Sequence, residues 1–220
     1  MSSRVQIWHL VLLMGITSMA FFAKAGSPAG RPPGKGWDKV REEDGITIYR
    51  AEAESFGTNE LVAILEANVS PAAAFTVVTD YDKYPQFMPY VKEAALLERS
   101  GGHDFVYMLV SPPVLSSRDY VMDIKPVAGD ASTGGVFRTS WTLAPDKKPE
   151  RDGIVRGKVN TGSWTLEPID GGARTRFTYS LLTTIGGAVP QFIANKASVG
   201  ATVDQMKAVR QRCEAAGKKQ

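Results

Sequence analysis

The strongest constraint on the fold of this chain is a run of predicted strands between residues 105 and 183, with no helix-length segment between them. Polar and apolar residues alternate along these strands, which is typical of a sheet with one buried face. Turn-forming pairs such as Pro112-Pro113 and Gly134-Gly135 separate them. Connections this short join antiparallel neighbours, because a parallel pair needs a much longer crossover. The predicted strands span residues 105–110, 118–126, 136–143, 154–166 and 174–183.

One long amphipathic segment follows the last strand, from Val189 to Cys213. Its apolar residues recur at near-helical spacing and oppose charged residues such as Asp204 and Lys207, which predicts a helix. At about 1.5 Å per residue this helix is roughly 37 Å long, enough to cross a whole sheet. The fold class is therefore α+β, an antiparallel sheet closed by one terminal helix. Upstream, the sequence predicts a hairpin of strands 46–51 and 61–69, a helix over 72–79, and short broken helices over 80–90.

The first 25 residues have the pattern of a secretory signal peptide. An apolar run from Val5 to Ala23 follows Arg4, and a small-x-small cleavage pattern ends at Ala25, so the mature chain is predicted to begin at Gly26. We expect a periplasmic or secreted protein. N-terminal membrane anchoring is the alternative, because about 18 apolar residues can span a bilayer. Residues 26–36 form a predicted flexible Gly/Pro linker, 37–213 one domain, and 214–220 a polar tail.

Charge and reactive side chains argue against several functions. The net charge of +3 falls by two with the loss of Arg4 and Lys24, and basic residues are mixed with acidic ones, so nucleic acid is not an expected partner. Cys213 is the only cysteine, and His103 is the only histidine beyond the signal peptide, so zinc sites and nucleophilic triads lack residues. We expect no metal, no cofactor and no catalytic residue. The sequence does not exclude acid–base catalysis by isolated carboxylates, but no spacing pairs two of them.

Strand alternation places one charged side chain on the inner face. In strand 118–126, Arg118 has the same parity as Tyr120 and Met122, whereas Asp119 has the opposite parity. A guanidinium in the interior is costly unless it is paired. Three interpretations follow for Arg118: a structural ion pair with an internal carboxylate, a strand end that bends out to solvent, or a contact with the polar head of a ligand.

The same parity argument assigns the other inward-facing side chains. Trp141 and Trp164 bury large apolar areas, which is consistent with ordinary core residues. Alternatively, they form part of a cavity wall, where their indole N–H groups can donate hydrogen bonds. Val155 and Val159 are assigned to the interior and Asn160 to the outside, because polar and apolar residues alternate there. The predicted ligand-binding residues are Arg118, Tyr120, Met122, Phe137, Trp141, Val155, Val159, Trp164, Phe177, Tyr179, Phe192, Val199 and Val203.

Four local sequences, in this order, resemble the START family of lipid-transfer domains: DYDKYP at 80–85, PVLSSRDYV at 113–121, GSWTL at 162–166 and GGAVP at 186–190. The resemblance implies a helix-grip fold, in which a curved antiparallel sheet and a C-terminal helix enclose an elongated apolar cavity for one lipid. It also implies that Arg118-Asp119 is the family's cavity-associated Arg-Asp pair and that residues 190–203 cover the cavity. An export signal departs from the familiar members and indicates a bacterial periplasmic or secreted carrier.

Three functions are compatible with these observations. The first is a non-enzymatic, monomeric carrier of one hydrophobic small molecule or lipid, with transient membrane contact as one route of loading. The alternative is an enzyme of the related polyketide cyclase and aromatase group, which would use Arg118 and Tyr179 to orient its substrate. The third is an interaction module whose own side chains fill the cavity. A void of several hundred Å³ between sheet and helix, as ligand sites generally have, separates the carrier from the self-filled module.

Overall fold

The computed structural model describes residues 34–53, 58–112, 116–184 and 191–217, and for residues 191–195 the backbone only. Ten strands and three α-helices lie within these ranges. In chain order they are β1 (Asp38–Glu43), β2 (Ile46–Ala53), β3 (Thr58–Ala67), α1 (Pro71–Thr79), α2 (Tyr84–Phe87), β4 (Val91–Ser100), β5 (His103–Val110), β6 (Arg118–Val127), β7 (Phe137–Leu143), β8 (Val155–Arg156), β9 (Asn160–Ile169), β10 (Arg174–Thr183) and α3 (Gln191–Gly217).

The strands form one sheet in the order β1-β2-β3-β10-β9-β7-β6-β5-β4. All neighbours on this path pair antiparallel. The two-residue β8 lies off the path and pairs parallel with the start of β6, which is an exception to the predicted antiparallel pairing. Helix α3 packs against β2, β3 and α1. The predicted α+β helix-grip fold is therefore confirmed.

Local sequence signals set the ends of the helices that precede β4. The Ser70 hydroxyl accepts a hydrogen bond from the Ala73 N–H at 3.4 Å, and Pro71 occupies the first turn of α1. The Tyr84 hydroxyl donates to the Val78 carbonyl at 2.6 Å, which ties the four-residue α2 to α1. The predicted hairpin, helix α1 and the short broken helices after it are confirmed.

Several predicted boundaries are wrong. Edge strands β1 and β4 were not predicted at all. The predicted strand 154–166 is two strands, because the backbone leaves the extended ladder over residues 157–159 and bends at Lys158. Helix α3 continues to Gly217, so the first residues of the predicted polar tail are helical.

Some predictions concern residues outside the described ranges. These are the signal peptide (1–25), the linker up to residue 33, the sequence GGAVP at 186–190, and the last three residues of the tail. Among the helices that the structure does describe, none combines the length and the apolar character that crossing a membrane would require.

Helix α3 is held unevenly along its length. Among its described side chains, the buried apolar residues are Val203, Met206, Val209 and Cys213, all from residue 203 onward. Lys207 forms ion pairs with Glu43 and Asp44 in the β1–β2 turn. In contrast, none of the side chains described between residues 196 and 201 is buried. Core packing and ion pairs therefore hold α3 from Val203 onward, whereas the described side chains from 196 to 201 are less buried.

A second apolar cluster lies on the opposite face of the sheet. Tyr107, Leu109 and Val121 form it, and the connection between β7 and β8 covers it with Ile154. Arg156 anchors this connection through five hydrogen bonds, two of them to the Asp119 carboxylate at 2.7 and 3.2 Å. The other three bonds go to the backbone carbonyls of Pro145, Lys148 and Pro149. Asp119 and Arg156 are both nearly inaccessible to water, so this is a buried ion pair.

Candidate ligand cavity

A cavity of about 230 Å³ lies between the inner face of the sheet, the α1–α2 region and α3. Its wall is mainly apolar, and none of the side chains that the structure describes fills the space, which argues against a self-filled cavity. Small-molecule sites commonly measure about 300 to 1,000 Å³. The cavity is slightly smaller than this range, which favours a slender ligand.

Strand β6 runs along the length of the cavity. Its inward-facing residues Arg118, Tyr120, Met122 and Ile124 are all buried and all line the space. At about 3.3 Å per residue, Arg118 and Ile124 are separated by roughly 20 Å along the strand. The predicted inner face of this strand is confirmed. The cavity is therefore elongated, with Arg118 towards one end.

One wall of the cavity is aromatic. The ring centroids of Trp164 and Tyr179 lie 4.4 Å apart, and those of Trp141 and Tyr179 lie 5.9 Å apart. The Trp141 Nε1–H donates to the Asn160 side-chain oxygen at 2.8 Å. Gly162 makes room for this arrangement, since a Cβ at that position would lie 2.4 Å from Cζ2 of Trp141. Both predicted tryptophans thus form cavity wall as well as core.

Arg118 is the only charged residue among the described residues that line the cavity. It is 6% exposed, and its Nε and Nη2 donate to the Ser116 carbonyl at 3.3 and 3.1 Å. Within the described ranges no carboxylate forms a salt bridge with it, and its neighbour Asp119 is paired with Arg156 on the other face. The structure therefore does not support the ion-pair interpretation of Arg118. The guanidinium is buried at a cavity wall with one carbonyl as its partner.

The tyrosines of the cavity carry no charge near neutral pH. Burial raises the pKa of the Tyr120 hydroxyl, and the Thr183 hydroxyl partly offsets this shift. Burial likewise raises the pKa of Tyr179, partly offset by the side chain of Gln205. These groups can donate hydrogen bonds but are poor bases. Arg118 thus dominates the electrostatics of the cavity wall.

Helix α3 presents small and polar side chains to the cavity, and its apolar stripe lies elsewhere. Val203 is buried in the core, and Val199 packs against that core. Successive helical residues are about 100° apart, so the face next to this stripe is the one turned towards the cavity. The residues on that face are Ala197, Ser198, Ala201, Thr202 and Gln205.

The structure brings six of the thirteen predicted residues together in the cavity wall: Arg118, Tyr120, Met122, Trp141, Trp164 and Tyr179. Phe177 and Val203 are fully packed core residues instead, and Phe137 contacts Phe75 with ring centroids 5.1 Å apart. Val199 packs on the core beside the cavity. The side chain of Phe192 lies outside the described part of the chain.

Val155 and Val159 are wrongly assigned to the cavity. Val155 is 46% exposed, and Val159 lies outside the cavity wall. The bend at residue 158 resets the alternation, so Asn160 faces the cavity although the sequence placed it outside. Gly157 packs directly against Tyr120. A Cβ at position 157 would lie only 2.0 Å from Cε1 of the Tyr120 ring, so only glycine fits there.

Other cavity residues were not predicted. Most of these residues lie in the segment after α1, where aromatic residues are interspersed with prolines. This pattern predicts broken helices, but it does not show which side chains face the interior. Thr139 is a further one, since a single threonine in a strand carries no functional signal. These unpredicted residues include Tyr81, Tyr84, Met88, Tyr90, Thr139 and Asn160.

The comparison with known protein families decides the relationship of this chain. The model of the family described as "Polyketide cyclase / dehydrase and lipid transport" matches residues 67–209, which is more than half of the chain. The chain belongs to this family. The START resemblance noted from the sequence is confirmed, and the matched residues run from the end of β3 through α1 and β10 to most of α3.

Several family relatives carry names that refer to lipid transfer. Phosphatidylcholine transfer protein from mouse is 29% identical over 186 residues, 82% of this chain and 85% of the relative. The STAR-related lipid transfer protein from Xanthomonas axonopodis has a crystal structure with a TM-score of 0.72 and 28% identity, covering 81% of this chain and 98% of that chain. Human StAR-related lipid transfer protein 5 shares the fold, with a TM-score of 0.75 at 16% identity, covering 86% and 89%.

Proposed function

We propose that this chain is a non-enzymatic protein that holds one lipid-like molecule in its cavity and carries it through water between membranes. The observation that carries the proposal is an elongated apolar cavity whose single charge is a buried guanidinium without a carboxylate partner in the described residues. A tail in the apolar part and an anionic or polar head at Arg118 would match this distribution. The names of the mouse and Xanthomonas relatives support a lipid as the ligand class.

The energetics of lipid transfer require no catalytic group. A tail of about 12 methylenes loses on the order of 10 kcal/mol on entering water, at about 0.8 kcal/mol for each methylene. Spontaneous transfer through water is therefore slow. A cavity that keeps the tail out of water removes most of that cost. The protein then needs only to bind and release.

The composition of the cavity wall favours binding over the polyketide cyclase alternative. The described residues of the wall include no histidine, carboxylate, lysine or cysteine. The raised pKa values of Tyr120 and Tyr179 keep both hydroxyls protonated near neutral pH, so neither supplies a phenolate as a base. Proton transfer needs a group whose pKa lies near the working pH. We therefore propose a carrier, although the family includes cyclases.

Native mass spectrometry of the protein purified from its own cell envelope tests the proposal. We expect one bound lipid per chain. An Ala201→Trp variant, designed to fill the cavity from α3, should lose it, because Ala201 lines the space. Leu97→Trp adds the same ring at an exposed position and should keep the lipid. A wild-type protein that is empty in every preparation would contradict the proposal.

Export is a further part of the proposal, supported by the pattern of the first 25 residues. If it is correct, expression in a Gram-negative host should yield a mature chain that starts at Gly26 in the periplasmic fraction. N-terminal peptide mass spectrometry of that fraction measures this. An Ala25→Arg variant should block cleavage and retain the protein at the membrane. A wild-type chain that keeps Met1 and stays in the membrane would instead favour the anchored form.

A further inference from the structure

Two hydroxyl groups in the cavity wall lack hydrogen-bond partners. Tyr81 and Thr139 are 3% and 2% exposed, and both line the cavity. Neither the Tyr81 hydroxyl nor Oγ1 of Thr139 has a hydrogen-bond partner within the described part of the chain. A buried hydroxyl without a partner loses its hydrogen bonds to water and gains none in return, so such groups are rare in a folded protein. Their occurrence as neighbours in one cavity therefore needs an explanation.

The surroundings of Tyr81 leave its hydroxyl available as a donor. The nearby Asp104 carboxylate is held by Arg99 through two hydrogen bonds at 2.6 and 3.0 Å. Burial, then the charge of Asp104 and the closeness of its carboxylate to the hydroxyl, raise the pKa of Tyr81, while Arg99 and Thr139 lower it, so the hydroxyl keeps its proton. The next tyrosine along the chain differs, because the Tyr84 hydroxyl already donates to the Val78 carbonyl. Of these two hydroxyls, that of Tyr81 lies beside Asp104 and Thr139 without a well-formed hydrogen bond to either, so it can turn towards a ligand atom.

This pair of hydroxyls lies far from Arg118. Thr139 on β7 is paired with Pro126, which is eight residues along β6 from Arg118. At about 3.3 Å per residue this corresponds to roughly 26 Å along the strand. The interval between them is lined by apolar and aromatic residues such as Met122 and Ile124. The cavity thus has a charged end, an apolar middle and an uncharged polar end.

We propose that Tyr81 and Thr139 form a second polar subsite, which binds a hydroxyl or carbonyl oxygen on the distal part of the ligand's apolar chain. The ligand class is then an anionic, single-chain amphiphile with an oxygen substituent far from its head group. Tyr81 donates to that oxygen, and the Thr139 hydroxyl donates or accepts. This inference rests on the proposed lipid-binding function and specifies its substrate class.

Binding of three related acids to the full chain tests the subsite. The probes are octadecanoate, 12-hydroxyoctadecanoate and 18-hydroxyoctadecanoate, each measured by displacement of a fluorescent fatty acid. We expect at least one hydroxylated acid to bind the wild-type protein about tenfold more tightly than octadecanoate. The Tyr81→Phe/Thr139→Val double variant, which keeps the side-chain volumes, should lose this preference.

Thr175→Val is the matched control, because it removes a buried hydroxyl outside the cavity wall whose hydrogen bond goes to the Val69 carbonyl. It should lower the melting temperature and retain the preference for the hydroxylated acid. Equal binding of all three acids to the wild-type protein would overturn the subsite and leave the carrier function intact. The subsite would also be overturned if the double variant lost stability but kept the preference for the hydroxylated acid. That result is expected if Tyr81 bonds only to Asp104 or to a trapped water. If none of the acids binds, the subsite and the anionic-ligand part of the proposed function both fail.

Discussion

An Arg118→Leu variant is expected to bind octadecanoate about 30-fold more weakly than the wild-type protein, with a melting temperature that is unchanged or slightly higher. Hydrogen bonds to a charged group contribute about 2 kcal/mol, which corresponds to this factor. The stability expectation follows from the surroundings of Arg118, whose partner in the described residues is the Ser116 carbonyl. Removing a buried charge without an ionic partner eliminates a desolvation cost. Isothermal titration calorimetry and thermal denaturation measure the two quantities.

A neutral ligand separates charge recognition from cavity shape. Octadecanol has the same chain length as octadecanoate but no charge, so Arg118→Leu should change its affinity by less than about threefold. Arg118→Lys keeps the charge and should retain part of the affinity for the acid. Equal losses for acid and alcohol, or a large fall in melting temperature with Arg118→Leu, would instead indicate that Arg118 has a structural role.

An Asp119→Asn variant is expected to lower the free energy of unfolding by about 3 to 5 kcal/mol. This substitution leaves the Arg156 guanidinium buried without its carboxylate, and breaking a buried ion pair by removing one partner has costs of this size. A domain of this length shifts in melting temperature by about 2 to 4 °C for each kcal/mol, so a decrease of roughly 10 °C follows. Chemical and thermal denaturation provide the measurement.

Two further variants show whether the effect comes from the uncompensated charge. The double variant Asp119→Leu/Arg156→Met replaces both charges with apolar groups and should recover most of the loss, because buried pairs are often no more stable than apolar replacements. Glu42→Gln breaks the Lys39–Glu42 pair, which is largely exposed, and should leave the melting temperature unchanged. A double variant as unstable as Asp119→Asn would show that the loss arises from the backbone contacts of Arg156.

The strand pattern predicted much of the fold, because alternation reports directly which face is buried. It placed Arg118, Tyr120 and Met122 on one side of β6 and Asp119 on the other, as the structure has them. The strand pattern was wrong at Val155. The backbone bend at Lys158 changes which residues face inward, and no residue type in the sequence indicates such a bend. Strand β4 was missed for another reason. Its central sequence EAALLE favours a helix, and pairing with β5 overrides that weak preference.

The candidate site was predicted less completely than the fold. On α3 the sequence identified the strongest apolar positions, Val199 and Val203, and these pack on the core. The residues that border a cavity must leave space for a ligand. The face of α3 that borders the cavity therefore carries small and polar side chains, and in the sequence such a face looks like one exposed to solvent. Tyr81 and Thr139 could not be predicted either. Their significance depends on which hydrogen bonds they lack, and only a three-dimensional arrangement defines that.

The uneven attachment of α3 has a consequence for ligand exchange. Its second half buries Val203, Met206 and Val209, whereas the described side chains from 196 to 201 bury little area. Few buried contacts would be lost if the turn from 196 to 201 moved, because the buried core residues of α3 begin at Thr202. If the protein is the proposed carrier, ligand exchange would then need only a local opening and not global unfolding. Such a domain would combine overall durability with ready exchange of its ligand.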